Sequence, residues 1–170
     1  YEISSVRRGY ALELAVDFVR QQIPRRGWWE ESDEPEVTYP NQTLEDVAGT
    51  WPEGEIPARA GDWMNRPHQR WTVTPVPEAG GYLGGQYCKI QIEGTDRVLA
   101  ATDDAEVVTL PAYTGAPEQL WRIEQLTDGT WRLSPKSLPD YVLTCIADST
   151  PTLAKYNFES DNCKWNFIKK

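Results

Sequence analysis

The sequence predicts an all-β fold, a closed barrel built from three repeats of four short strands. Three observations carry this expectation. First, a Trp-bearing tooth recurs: PHQRWTV at residues 67–73, PEQLWRI at 117–123 and SDNCKWNF at 160–167. Second, helical patterning is poor, because 13 Pro and 12 Gly interrupt the chain and apolar residues alternate or run in short groups. Third, short strand candidates recur between turn residues, among them YCKIQI, RVLAAT, WRIEQL, TWRLSP and DYVLTCI.

Each element follows from laying the repeats in register. The first strands carry Ile3, Ile90 and Leu133, and the second carry Leu12, Leu99 and Leu143, which lie 9, 9 and 10 residues further on. The third carry Ile56, Val107 and Thr152, and the Trp of the fourth strand follows by 15, 14 and 13 residues at Trp71, Trp121 and Trp165. Repeat one spans residues 1–80, repeat two 81–128 and repeat three 129–170. Repeat one holds about forty extra residues, roughly 16–54, between its second and third strands. The stretch GYALELAVDFVRQQI at residues 9–23 is helix-like, apolar at Leu12, Leu14, Val16 and Val19, and its alternation at Leu12, Leu14 and Val16 also fits a strand. Three quartets of strands make a β-trefoil, a six-stranded barrel capped by three hairpins, in a single domain. The three Trp then read as core, since each brings a large area to bury jointly with the others. A Gln beside them can bond the backbone of its own hairpin.

The chain resembles the ricin-B-type (Q-x-W) β-trefoil lectins, in the style of the small single-domain fungal members. Gln69-x-Trp71 and Gln119-x-Trp121 match the motif, whereas Cys163-x-Trp165 departs at its first position. The resemblance implies a shallow sugar pocket on each repeat. An Asp near the end of the second strand accepts from hydroxyls, a ring on or after the third strand stacks on the sugar, and an Asn or Asp three residues before the Trp completes the contacts. A pyranose suits this set, offering C–H groups to a ring face and hydroxyls that must be paired when they leave water.

Carried over residue by residue, the pattern is incomplete in every repeat. In the first, Glu13 takes the Asp position, His68 stands before the motif and Trp63 supplies a ring, with His68 also readable as a turn residue. In the second, Ala100 replaces the Asp, leaving Asp103, Asp104, Tyr113 and Glu118. In the third, Thr144 replaces it, Asp148 follows, Tyr156 and Phe158 supply rings, and Asn162 matches the family residue. The third set is the fullest.

Composition narrows the function. Against 17 Lys and Arg stand 26 Asp and Glu, a net charge of −9, which argues against nucleic acid or an anionic membrane as partner. No apolar run approaches the roughly 18–20 residues of a membrane span. Cys88, Cys145 and Cys163 have no C-x-x-C spacing and read as reduced structural thiols, which favours the cytoplasm; Cys145 with Cys163 is the one pairing the repeat alignment suggests. The sequon NQT at residues 41–43 would matter only in a secreted protein. With one His and none of the nucleophile, zinc or phosphate-loop motifs, no catalytic role is expected, nor any cofactor or metal.

The expected function is therefore a lectin that recognises glycans, of galactose or N-acetylgalactosamine type or other glycoconjugates, possessing several sites or forming a homodimer. The alternative is a β-trefoil protease inhibitor acting through a loop such as SPKSLPDY at residues 134–141, with Lys136 the residue to inspect. The acidic excursion at residues 25–55 is rich in aromatics, which favours packing of part of it, and Trp28-Trp29 offer a platform to a neighbouring site.

Overall fold

The computed structural model describes residues 1–7, 9–16, 21–22, 37–38, 51–82, 85–146 and 150–169. They form two compact units, Tyr1–Ala15 together with Glu53–Lys170, and Val16–Pro52. The first repeat opens with β1 (Glu2–Ser5) and β2 (Ala11–Leu14). Between them the chain turns at Gly9, whose φ of 72° suits a residue without Cβ and whose N–H donates to the Ser5 carbonyl at 2.8 Å. The helix-or-strand ambiguity is resolved for β2 as a strand, all four of its residues buried. In the smaller unit β3 (Gln21–Gln22) pairs antiparallel with β4 (Val37–Thr38). Trp28, Trp29 and the sequon lie outside the described residues.

The larger unit continues with β5 (Ile56–Gly61), β6 (Trp71–Pro75) and a short β7 (Gly81–Tyr82). Repeat two follows as β8 (Gly85–Ile92), β9 (Val98–Ala101), β10 (Val107–Leu110) and β11 (Trp121–Gln125). Repeat three is β12 (Trp131–Pro135), β13 (Tyr141–Cys145), β14 (Pro151–Lys155) and β15 (Trp165–Ile168). Antiparallel pairs run β6–β8, β8–β11, β11–β12, β12–β15 and β15–β1. Tyr1 and Trp71 close the circle through backbone bonds in both directions, 3.0 Å and 2.7 Å long. A closed sheet has no free edge, which removes the usual route to strand-mediated aggregation. Of the remaining strands, β2–β5, β9–β10 and β13–β14 pair as hairpins, and the short β7 pairs with β8. This is a β-trefoil.

The core repeats as the strands do. Ile3, Ile90 and Leu133, then Leu12, Leu99 and Leu143, then Trp71, Trp121 and Trp165 are all fully buried. Each indole Nε1–H donates to the carbonyl of the second-strand Leu of its own repeat: Trp71 to Leu12 at 2.8 Å, Trp121 to Leu99 at 2.9 Å and Trp165 to Leu143 at 2.9 Å. A buried N–H must find an acceptor, so this bond sets where each hairpin lies against the barrel. The three cysteines are buried and in no disulfide, so Cys145 and Cys163 are not bonded to each other.

Candidate functional site

A short 3-10 turn precedes each motif Trp: Pro67–Gln69, Pro117–Gln119 and Asp161–Cys163. From its turn, Gln69 donates to the Asp62 carbonyl at 2.6 Å and accepts from the Met64 N–H at 2.8 Å. Gln119 repeats this at the same offsets, donating to Ala112 at 3.0 Å and accepting from Thr114 at 2.7 Å. The residues held between these two backbone groups are Trp63 and Tyr113. The motif Gln thus fixes the loop that carries the ring. Cys163 has no equivalent reach, and its Sγ lies 3.2 Å from the Asn157 carbonyl and 3.3 Å from that of Ser160. Gln119→Ala is expected to cost about 1–3 kcal/mol, since two part-buried backbone groups lose the amide that pairs them; urea titration of parent and variant measures it.

In the first repeat the Asp position does not face solvent. Glu13 is 3% exposed, and its carboxylate accepts from Arg59 Nε at 2.8 Å and Gln69 Nε2 at 3.0 Å, with His68 Nε2 at 3.2 Å. Arg59 stands directly across from Glu13 in the β2–β5 register. A Cβ at Gly61 would collide with the same carboxylate, so glycine makes room for it. Burial raises the Glu13 pKa, but hydrogen bonds from His68, Arg59 and Gln69 outweigh it and leave the group below its ordinary value. Glu13 and His68 are therefore brought together, but inside the protein, while Trp63 sits on the loop that Gln69 holds. His68, buried in the 3-10 turn, is the turn residue of the second reading above.

In the second repeat Ala100 is fully buried, and Asp103 and Asp104 are exposed on the β9–β10 turn. Glu118 is half-buried. Tyr113 is half-buried with the Lys89 ammonium 4.8 Å from its ring centroid. Tyr113, Thr114 and Gly115 form one wall of an open cleft of about 540 Å³, with Glu78, Ala79 and Lys136 also lining it. Asp103 and Asp104 are not among its lining residues. Glu78 comes from the linker PVPEAGG between repeats one and two, a stretch that carries no motif. Lys136 donates to the Ala79 carbonyl at 2.8 Å and packs 5.2 Å from the Tyr87 ring.

The third repeat separates its candidates. Thr144 is 7% exposed and its hydroxyl donates to the Val142 carbonyl at 3.0 Å, so the Asp position is again turned inward. Tyr156 is half-buried, with the Arg132 guanidinium 4.7 Å from the ring centroid. Phe158 is exposed by 71%, and Asn162 is half-buried in the 3-10 turn. Asp148 lies outside the described residues. Among the described residues no group of three or more His, Cys, Asp or Glu is arranged to hold a metal ion, and no helix is long and apolar enough to cross a membrane.

Residues 67–155, more than half of the chain, match the family model described as ricin-type beta-trefoil lectin domain-like. No curated protein matches the chain in sequence. Among solved structures, the designed 3-fold symmetric protein ThreeFoil superposes with a TM-score of 0.64 at 16% identity, over 100% of this chain and 98% of its own. A mosquitocidal holotoxin gives 0.63 at 15% identity, over 97% of this chain and 16% of the toxin. The Polyporus squamosus lectin, solved with a human-type influenza-binding epitope, gives 0.61 at 14% identity, over 98% of this chain and 47% of the lectin. The chain thus spans only a part of the last two proteins. At these identities the likeness is one of fold.

Proposed function

The chain belongs to the ricin-type β-trefoil lectin domain-like family, and from that premise we propose that it binds glycans at a shallow site built around Tyr113 and Glu78. Membership supports a carbohydrate-binding role in general and a binding protein rather than an enzyme. The finer reading rests on one observation, the cleft that a ring, a carboxylate, a hydroxyl and an ammonium line together. Tyr113 offers a π face to the C–H patch of a pyranose, on the side away from Lys89. Glu78 accepts from hydroxyls and Thr114 completes the polar contacts, so hydroxyls that leave water find partners. The ring is also pre-positioned, because Gln119 holds the backbone on both sides of it. Preorganisation of this kind lowers the cost of binding.

A single open site binds weakly, with Kd on the order of 10 μM to 1 mM, about −4 to −7 kcal/mol. Avidity then comes from a second site on the chain or from a second copy, through effective concentration. The inhibitor reading loses its starting point in Lys136. That residue is tied to Ala79 by its ammonium, its backbone N–H donates to Leu120, and the loop is folded by a Leu138-to-Pro135 bond. A protease-binding loop needs its key side chain free to enter a pocket.

The test is a glycan array with the parent protein, followed by calorimetry on the glycans it selects. Tyr113→Ala and Glu78→Gln are each expected to weaken binding at least tenfold, while Tyr156→Ala with Asn162→Ala leaves it within about twofold. Loss in the Tyr156/Asn162 variant instead would move the site to repeat three. A blank array would sink the lectin reading.

A further inference from the structure

The trefoil breaks its own symmetry at the end of the barrel away from the hairpins. Side chains alternate across a strand, so the residues two positions from the core layer also point inward. Two positions before Ile3, Ile90 and Leu133 stand Tyr1, Cys88 and Trp131. Two positions after Trp71, Trp121 and Trp165 stand Val73, Ile123 and Phe167. The pairing confirms the equivalence. Val73 faces Ile90, Ile123 faces Leu133 and Phe167 faces Ile3, while Cys88 faces Trp121 and Trp131 faces Trp165.

Three of these six residues are large and three are small. Phe167 meets Trp131 edge-to-face at 5.7 Å and Tyr1 at 6.2 Å, both at 89°. Opposite this aromatic wall, where repeat three has Trp131 and Phe167, repeat two has Cys88 and Ile123 and repeat one has Val73. The result is a cavity of about 580 Å³ open to solvent and lined by all six, with Gln86 at its polar edge. Its volume lies within the roughly 300–1,000 Å³ of small-molecule sites, and its lining is of their apolar, aromatic kind.

We infer that the open end of the barrel binds a planar apolar small molecule of one or two fused aromatic rings. The three rings present edges and faces in the geometry that aromatic pairs prefer, with centroids about 4.5–7 Å apart. The small side chains opposite leave the space for a further ring, and the amide of Gln86 suits one hydroxyl or N–H on it. A sugar is a poor occupant, since its many hydroxyls would meet few partners here. The lining residues are distinct from those of the Tyr113 cleft.

The probe is 2-naphthol, titrated into the intact protein by calorimetry. Saturable 1:1 binding is expected, and Ile123→Phe and Cys88→Trp, which install the residues repeat three carries, are each expected to weaken it at least tenfold. Bound 2-naphthol is also expected to slow alkylation of Cys88 by iodoacetamide at least fivefold, read by mass spectrometry. This readout uses the unmutated protein, so it stands if a filled variant fails to fold. Cys145 and Cys163, buried at 4% and 1% exposure, report any general change in opening. Absence of saturable binding overturns the inference. So does binding that is unchanged in folded Ile123→Phe and leaves the Cys88 alkylation rate unaltered.

Discussion

Trp121→Ala is expected to lower the stability of the trefoil by about 3–5 kcal/mol, the usual range for removing a large aromatic side chain from a core. Trp121 is fully buried, and its indole supplies the hydrogen bond to the Leu99 carbonyl at 2.9 Å. Alanine therefore leaves both a cavity and a buried acceptor without its donor, and neither relaxes easily inside a closed barrel. The control is Trp131→Ala. Trp131 lines the open end and is half-buried, so its loss forfeits contacts without creating an enclosed void, and about 1–2 kcal/mol is expected. Urea denaturation followed by circular dichroism compares the two. Equal losses would mean that the threefold Trp layer is not the structural centre of the molecule.

This division explains what was legible in the sequence. Ile3, Leu12 and Trp71 and their counterparts recur at nearly constant spacing because each fills the same place in a symmetric core, which only a narrow range of side chains fits. Even the Gln of the motif could be assigned to its hairpin, since a buried amide beside a buried Trp has to bond nearby backbone. The site was less legible because it follows no repeat. At the Asp position the three repeats hold Glu13, Ala100 and Thr144, all facing inward. Glu13 is tied to Arg59, a partner 46 residues away across the excursion, visible only once the β2–β5 register is known. Glu78 reaches the Tyr113 cleft from a linker that belongs to no strand quartet. Symmetry makes the core readable, and departure from symmetry makes the surfaces specific. The same departure, Cys88 where repeat three has Trp131, opens the barrel end.

Glu13 brings the second large effect, because the core and the loop apparatus meet at its carboxylate. In Glu13→Ala, His68 at 1% exposure and Gln69 at 0% lose the acceptor they share, and Arg59 loses its cross-strand partner. Arg59, with 37% of its side chain exposed, can turn to water, but the two buried donors cannot. A loss of about 3 kcal/mol is expected. The pH dependence has a definite sign. The folded Glu13 pKa lies below the ordinary value of 4.5, so between the two values the unfolded chain binds the proton more readily than the folded one. Stability from this group is then complete above about pH 5 and is lost as pH falls through the folded value. Asp128, held low chiefly by hydrogen bonds from Thr130 and also by Lys164, contributes in the same direction in parent and variant alike. The difference between parent and Glu13→Gln, measured by urea titration from pH 7 to pH 3, therefore reports Glu13 together with the His68 imidazole it contacts. Below about pH 5 it should shrink as the Glu13 carboxylate takes up its proton. A difference independent of pH would show that the Glu13 charge has no part in holding β2, β5 and the Gln69 turn together.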